Sequence, residues 1–227
     1  MIKGVVLNEV LKMTEPNQEL DPVHITIQVY DRLTNRYADV WFADPVMEEM
    51  LDKFLVRMGA PGLILDAGCG PGRDVLSMQR RGFKSIGIDL CSGMVEMASR
   101  LVPDGTFIVM DMRHLKFPDN IFSGIWACAS LQHLPETDAA QAMSEFSRVT
   151  CPNGVVALIV DEGEGAFYDE LGRYRKRYRI DEMERLLLQR GFYMDEALLV
   201  PGSKNTTGSN KGKMWLHVLA RRSANAT

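Results

Sequence analysis

Apolar positions along the chain follow two periods, and the change comes at residue 63. Before it, Ile27, Tyr30, Leu33 and Tyr37 recur at helical spacing between about Pro22 and Asp39. Met47, Met50, Leu51, Phe54 and Leu55 do the same between about Pro45 and Met58. Pro45 suits the first turn of that second helix with Asp44 as cap, and Gly59 to Gly62 end it. From Leu63 onward short apolar runs alternate with amphipathic stretches. The runs predict strands at Leu63–Asp66, Ser85–Asp89, Thr106–Met110, Phe122–Cys128 and Val155–Val160. The last is apolar throughout, as a strand covered on both faces requires. Helices are expected over about Arg73–Arg81, over about Gly93–Leu101, and across Ala139, Ala142, Met143, Phe146 and Val149, closed by Pro152 and Gly154. Asp181 and Glu184 make a capping-box-like start for a further helix ended by Gly191. Tyr193–Val200 and Lys213–Ala220 flank a Gly, Ser, Asn and Lys loop and read as a closing hairpin.

Five strand–helix alternations and a terminal hairpin give an α/β open sheet in one domain, residues 22–227. Within it, residues 22–58 form a helical cap over a core of residues 63–221, and residues 1–21 read as an arm, either mobile or a partly artificial start.

The chain is organised around Leu63-Ile64-Leu65-Asp66-Ala67-Gly68-Cys69-Gly70-Pro71-Gly72-Arg73-Asp74. An apolar strand ends in an acid, breaks into a glycine-rich turn, and enters a helix. Glycines tolerate positive φ and let another molecule approach the backbone, while the following helix aims free N–H groups at it. A turn that seats a dinucleotide pyrophosphate has the spacing G-x-G-x-x-G. Here the spacing is Gly68-x-Gly70-x-Gly72, and Asp66 precedes it by two residues. A carboxylate there suits a ligand's ammonium group better than a phosphate.

Asp66-x-Gly68-x-Gly70-x-Gly72 resembles the first motif of the class I S-adenosylmethionine-dependent methyltransferases, and the resemblance extends over roughly Pro22 to Arg221. It implies a Rossmann-like, mostly parallel seven-stranded sheet with helices on both faces and an antiparallel seventh strand. It also implies S-adenosyl-L-methionine as cofactor. The turn Asp66, Ala67, Gly68, Cys69 and Gly70, with Arg73, then belongs to the cofactor's amino-acid end. Asp89 ends the second strand, 21 residues after Gly68, where a carboxylate with two acceptor oxygens suits a ribose diol. Leu90 and Met94 fall beside the adenine, Asp111 at its exocyclic amine and Met112 on its ring. Ala127 and Cys128, small residues at the fourth strand's end, would let the methionine arm lie close. Asp89 and Asp111 also admit plainer readings, as a helix-capping acid and a surface-turn acid.

His133, in Leu131-Gln132-His133-Leu134-Pro135, is the candidate for acid–base work, because an ordinary histidine titrates near ~6.5. The alternative reading of His133 is a structural or positioning residue that braces its loop. Tyr30 and Tyr37 are seven residues apart on one helical face. They either cover the cofactor, with a hydroxyl offered to its carboxylate, or simply pack. Residues 161–179 combine glycines, acids and a basic run, and serve either as a pocket wall or as a solvated connection.

Composition narrows the partners. A formal net charge of −4 argues against a constitutive nucleic-acid surface. Cys69, Cys91, Cys128 and Cys151 form no C-x-x-C pair or zinc spacing, so no metal is expected and the thiols read as reduced. No apolar stretch has the length of a membrane span, and Met1 to Leu20 lacks a signal-peptide core. The expectation is a cytoplasmic enzyme, monomer or homodimer, that methylates a small molecule. A cofactor-binding sensor or partner subunit without turnover, and an NAD-linked oxidoreductase, are the competing readings.

Overall fold

The longest apolar runs lie in the middle of one sheet. The computed structural model describes residues 21–44, 47–202 and 213–224. Its elements are α1 (Pro22–Trp41), α2 (Glu48–Met58), β1 (Leu63–Ala67), α3 (Arg73–Arg80), β2 (Lys84–Asp89), α4 (Ser92–Leu101) and β3 (Thr106–Val109). They continue with β4 (Phe122–Cys128), a 3₁₀ turn (Leu131–His133), α5 (Glu136–Val149), β5 (Thr150–Asp161), β6 (Ala166–Tyr168) and β7 (Tyr174–Lys176). The last three are α6 (Ile180–Leu188), β8 (Phe192–Pro201) and β9 (Met214–Arg222).

Seven of these strands form a sheet in the order β3-β2-β1-β4-β5-β9-β8. β1 to β5 run parallel, while β9 is antiparallel to both β5 and β8. The expected mostly parallel sheet with an antiparallel terminal hairpin is therefore present. Its order reverses between β1 and β4, the place where an open α/β sheet leaves a crevice beyond its carboxyl ends.

Side chains alternate across the sheet, so successive residues of one strand feed opposite layers. Leu65 and Ile125 join Phe146, Met183 and Leu187 on one face. Ile64 and Trp126 join Leu51, Phe54 and Ile159 on the other. Helix α2 covers the second face with Met50, Leu51, Phe54 and Leu55. This double covering is why β5 is apolar from Val155 to Val160.

Helix α1 starts at Pro22, where the periodicity puts it, and the Asp21 carboxylate caps it by accepting from Val23 N at 3.0 Å. Its buried stripe, however, is Val23, Thr26, Val29, Thr34 and Ala38. Tyr30 and Tyr37 are only half-buried, because they face cavities and not the sheet. β5 begins at Thr150, earlier than expected, and passes through Pro152 and Gly154, with a register shift against Phe122 and Gly124. The segment read as either a wall or a connection contains a two-stranded hairpin, β6–β7. Residues 1–20, Pro45, the loop over residues 203–212 and residues 225–227 lie outside the described residues, and α2 starts at Glu48 with Met47 at its N-cap, so Asp44 does not cap it.

Candidate functional site

The glycine turn is bound to its neighbours through the backbone. Gly68 and Cys69 N both donate to Ile88 O, at 2.8 and 2.9 Å. Gly68, Gly70 and Gly72 all have positive φ, at 86°, 51° and 88°. At Gly68 a Cβ would sit 2.3 Å from Ser130 Cβ, so the turns after β1 and β4 touch there. Ser130 Oγ closes the contact by donating to Ala67 O at 2.6 Å. Gly70 is different: among the described residues, its only neighbour within 4 Å of an added Cβ is Tyr37 Cε1, at 3.8 Å. One glycine serves packing and the other keeps space open.

Two acids stand at this turn. Asp89 Oδ2 accepts from Gly70 N and Oδ1 from Cys91 N, both at 2.9 Å. It thus joins the turn to the end of β2 while each oxygen keeps a further lone pair. Burial raises its pKa against the pull of those N–H groups. Asp66 is 1% exposed, and its Oδ2 has no hydrogen-bond partner. Burial first, and then the negative charge of Asp74, push its carboxyl well above the usual range. Asp74 itself is matched: Arg73 grips it through Nε and Nη2 at 2.6 and 2.9 Å, and Trp126 Nε1 donates at 2.8 Å.

Two adjoining cavities open over the strand ends. The first, about 110 Å³, is lined by Gly68, Gly70, Asp89, Leu90, Met94, Asp111, Met112, Cys128 and His133, with Tyr30 and Tyr37 from α1. The second, about 100 Å³, is lined by Cys69, Arg73, Gln132, Trp41, Arg173, Arg175 and Trp215. Tyr30, Tyr37, Gly68, Gly70, Cys128 and Ala129 border both. Most sequence-predicted residues therefore come together. Asp66, Ala67 and Ala127 line neither cavity, and each is 1% exposed or less. Asp111 lines the first cavity with its carboxylate already held by Arg113, whose Nη2 lies 2.7 Å away. Burial raises the Asp111 pKa, but the Arg113 hydrogen bonds and charge prevail and hold it below the usual range.

His133 is buried with both ring nitrogens engaged. Nδ1 lies 2.6 Å from Tyr174 O and Nε2 lies 2.9 Å from the Tyr30 hydroxyl. A carbonyl only accepts, so Nδ1 carries the proton and Nε2 accepts from Tyr30. The Tyr30 oxygen in turn accepts from Arg173 Nη1 at 3.0 Å. Burial, then the charges of Arg175 and Arg173, lower the His133 pKa to about 3. Burial and Asp74 raise the Cys128 thiol to about 12. Among the described residues no group of His, Cys, Asp or Glu has the arrangement of a metal site.

Sequence reasoning did not single out Gln132, Trp41 or Trp215, and it left undecided, between pocket wall and solvated connection, the segment that carries Arg173 and Arg175. The signal for the last two was present: Arg173, Arg175 and Arg177 alternate with Tyr174, Lys176 and Tyr178 at a strand's period of two. A reading by charge obscured it.

The chain is similar to known methyltransferases in sequence and in fold. Residues 64–154 match the family model described as a methyltransferase domain. A malonyl-[acyl-carrier protein] O-methyltransferase of Yersinia pestis is 28% identical over 157 residues, 68% of this chain and 57% of that protein. A trans-aconitate 2-methyltransferase of Escherichia coli is 34% identical over 97 residues, 42% of this chain and 37% of that protein. The chain thus spans about half the length, or less, of these curated relatives. A Burkholderia thailandensis 1,6-didemethyltoxoflavin-N1-methyltransferase, solved with that compound and S-adenosylhomocysteine, superposes with a TM-score of 0.73 at 19% identity over 92% of this chain and 93% of its own. The matched residues 64–154 carry the motif Asp66-x-Gly68-x-Gly70-x-Gly72 at the switch point of the seven-stranded sheet, so this part of the chain is a methyltransferase domain, in line with the resemblance to the class I S-adenosylmethionine-dependent methyltransferases.

Proposed function

We propose that this protein binds S-adenosyl-L-methionine and transfers its methyl group to a small-molecule acceptor. The observation that carries the reading is the unpartnered Asp66 Oδ2, buried under an open glycine turn. An orphaned buried carboxylate oxygen is costly unless a donor completes it. The ammonium of an amino-acid ligand is such a donor, and a pyrophosphate is not. The rest of the lining fits the same cofactor. Asp89 has lone pairs left for a vicinal diol, and Leu90, Met94 and Met112 offer an apolar bed for a flat base. When bound, the cofactor supplies a methyl carbon made electrophilic by its sulfonium.

The chain's own part is then positioning and exclusion of water. Tyr30 and Tyr37 stand at the joint between the two cavities, their rings edge to face at 5.4 Å between centroids. We assign His133 to holding Tyr30 in place, since its two nitrogens are engaged and it stays neutral at physiological pH. Four unpaired cysteines fit a reducing compartment, and we place the enzyme in the cytoplasm. Among the described residues no helix is long and apolar enough to cross a membrane.

Calorimetry with S-adenosylhomocysteine and, separately, with NAD tests the cofactor, and a methyl-transfer screen over small acids, phenols and amines tests turnover. Preference for NAD would overturn the reading. Tight binding of S-adenosylhomocysteine with no turnover on any acceptor would favour the sensor or partner-subunit alternative.

A further inference from the structure

The second cavity has a wall of hydrogen-bond donors organised by one acid that does not itself line it. Asp161, 3% exposed, ends β5. Its carboxylate holds Arg175 by two bonds, Nε to Oδ2 at 2.5 Å and Nη2 to Oδ1 at 2.7 Å. Its backbone N–H donates to Gln132 Oε1 at 2.9 Å. The amide of Gln132 is thereby oriented, with its oxygen toward Asp161 and its NH2 on the other side. Gln132 is 1% exposed, and among the described residues its Nε2 has no acceptor. Arg175 Nη1 likewise has no hydrogen bond among them; its nearest carboxylate oxygen is Asp169 Oδ2, at 3.8 Å. Both residues line the second cavity beside Trp41 and Trp215.

Donors without acceptors, fixed before any ligand arrives, call for a ligand group that only accepts. The local charge points the same way. Asp74, Asp161 and Asp169 answer Arg73, Arg175 and Arg173 one to one. Lys213 adds a further cation, with no ion pair among the described residues, and burial and then the charge of Arg175 hold its ammonium below the ordinary range. The indoles of Trp41 and Trp215 supply an apolar flank.

We propose that the second cavity holds the carboxylate of an acidic, flat or apolar acceptor, anchored by Arg175 Nη1 and Gln132 Nε2. This rests on the methyltransferase reading above and narrows its substrate class. Arg175 and Gln132 touch the acceptor in this scheme, while Asp161 is a positioning residue that aims both. A planar guanidinium and a primary amide together discriminate a carboxylate from a neutral amide, because only the carboxylate accepts at both oxygens without presenting a donor.

The test uses the full chain saturated with S-adenosylhomocysteine. Benzoate, phenylacetate and cinnamate are titrated against their primary amides by calorimetry and ligand-observed NMR. At least one acid should bind tenfold or more tightly than its own amide. Gln132→Glu keeps an oxygen to accept from Asp161 N while replacing the donor by a negative oxygen. Arg175→Met combined with Asp161→Asn removes both charges of a buried pair together, so neither is left alone. In each variant the acid should bind at least tenfold more weakly, with affinity for S-adenosylhomocysteine within twofold of wild type. Amides binding as well as acids, no acid binding to the loaded protein, or acid binding retained by both variants would each overturn the proposal. Failure of the wild type to bind S-adenosylhomocysteine would show instead that the methyltransferase reading is wrong, and this proposal would go with it.

Discussion

Tyr30 and His133 are 103 residues apart and share a hydrogen bond of 2.9 Å, the phenol donating to Nε2. The direction is set from the far side of the ring, where Nδ1–H donates to the Tyr174 carbonyl at 2.6 Å. Arg173 Nη1 completes the phenol's set at 3.0 Å. Thr26, one turn before Tyr30, accepts from Tyr174 N at 3.0 Å. Helix α1, the turn after β4 and strand β7 are thus joined at one point, at the boundary between the two cavities.

A consequence is that stability should depend on pH through His133. Its folded pKa is about 3, below the unfolded value of ~6.5. Between these values the unfolded chain binds a proton that the native state does not. The contribution is therefore intact above pH ~6.5 and is lost as pH falls from there toward the folded value. His217, lowered to about 4 by burial and then by Lys53, acts with the same sign, so the comparison must be with a variant. His133→Gln keeps a donor and an acceptor in place. From pH ~6 down to ~5 the wild type should lose stability faster than the variant, by about 1.4 kcal/mol per pH unit. Urea melts at several pH values measure this, and parallel curves would mean His133 is not held neutral. The same substitution should lower turnover only a few-fold and leave its pH profile unchanged. A loss of 10²- to 10⁴-fold, approximately, with one limb of the profile missing, would make His133 a general base after all.

Gly68 and Gly70, two residues apart in the turn, should fail in different ways. Gly68→Ala places a Cβ 2.3 Å from Ser130 Cβ at a φ of 86°. Strain and overpacking together should cost about 3 kcal/mol or more. Gly70→Ala has room, with only Tyr37 Cε1 at 3.8 Å, so its cost is the left-handed backbone alone, about 1–2 kcal/mol. Its methyl group would nevertheless project into the space left for a ligand. We expect Gly70→Ala to fold and to bind S-adenosylhomocysteine at least tenfold more weakly. Wild-type affinity in that variant would remove the glycine turn from the binding site.

Asp66 makes binding proton-linked. Its carboxyl is raised well above the usual range by burial and Asp74, and a ligand ammonium would favour the ionised form. Binding of S-adenosylhomocysteine should therefore release a proton, and affinity should fall as pH drops below that raised pKa. Titration calorimetry in buffers of different ionisation enthalpy counts the proton directly. Asp66→Asn should bind more weakly and release less. Equal release by both proteins would mean that the ammonium does not meet Asp66.

The sheet was legible in the sequence because β1 to β5 are covered on both faces and punctuated by turns. The cofactor half of the site was legible because Asp66, Gly68, Gly70, Asp89 and Asp111 all lie at predicted strand ends. The acceptor half was not. Trp41, Gln132, Arg175 and Trp215 come from a helix end, a 3₁₀ turn and strands β7 and β9, and only the tertiary fold brings them to one cavity. β6 and β7 are three residues each, too short for periodicity to outweigh the charge run that contains them. Asp161 looked like one more loop acid, and its role depends on partners 14 and 29 residues away.

Helix α1 is the element whose motion should gate the site. It carries Tyr30 and Tyr37 over both cavities, so a ligand entering from that side must displace it. Its buried stripe holds three small apolar residues, Val23, Val29 and Ala38, with Thr26 and Thr34 between them. That is little apolar area compared with α2, which buries Met50, Leu51, Phe54 and Leu55. The contacts that hold α1 are largely polar: Tyr30 to His133 and Arg173, Thr26 to Tyr174, and Asp31, whose carboxylate accepts from Cys91 Sγ at 2.8 Å. Polar contacts are readily exchanged for water, so local opening of α1 should need far less free energy than global unfolding. A bound cofactor beneath the two phenols would add contacts that exist only in the closed state and shift the balance toward closure. Hydrogen exchange measured over residues 22–41 should therefore be fast relative to β1, β4 and β5 in the free protein. Saturating S-adenosylhomocysteine should slow it at least tenfold. Tyr30→Phe, which removes the bonds to His133 and Arg173, should speed exchange in the free protein and leave the ligand-induced slowing largely in place. Protection of residues 22–41 that matches the central strands in both states would make α1 a fixed scaffold, and the acceptor would then have to enter past the β6–β7 hairpin.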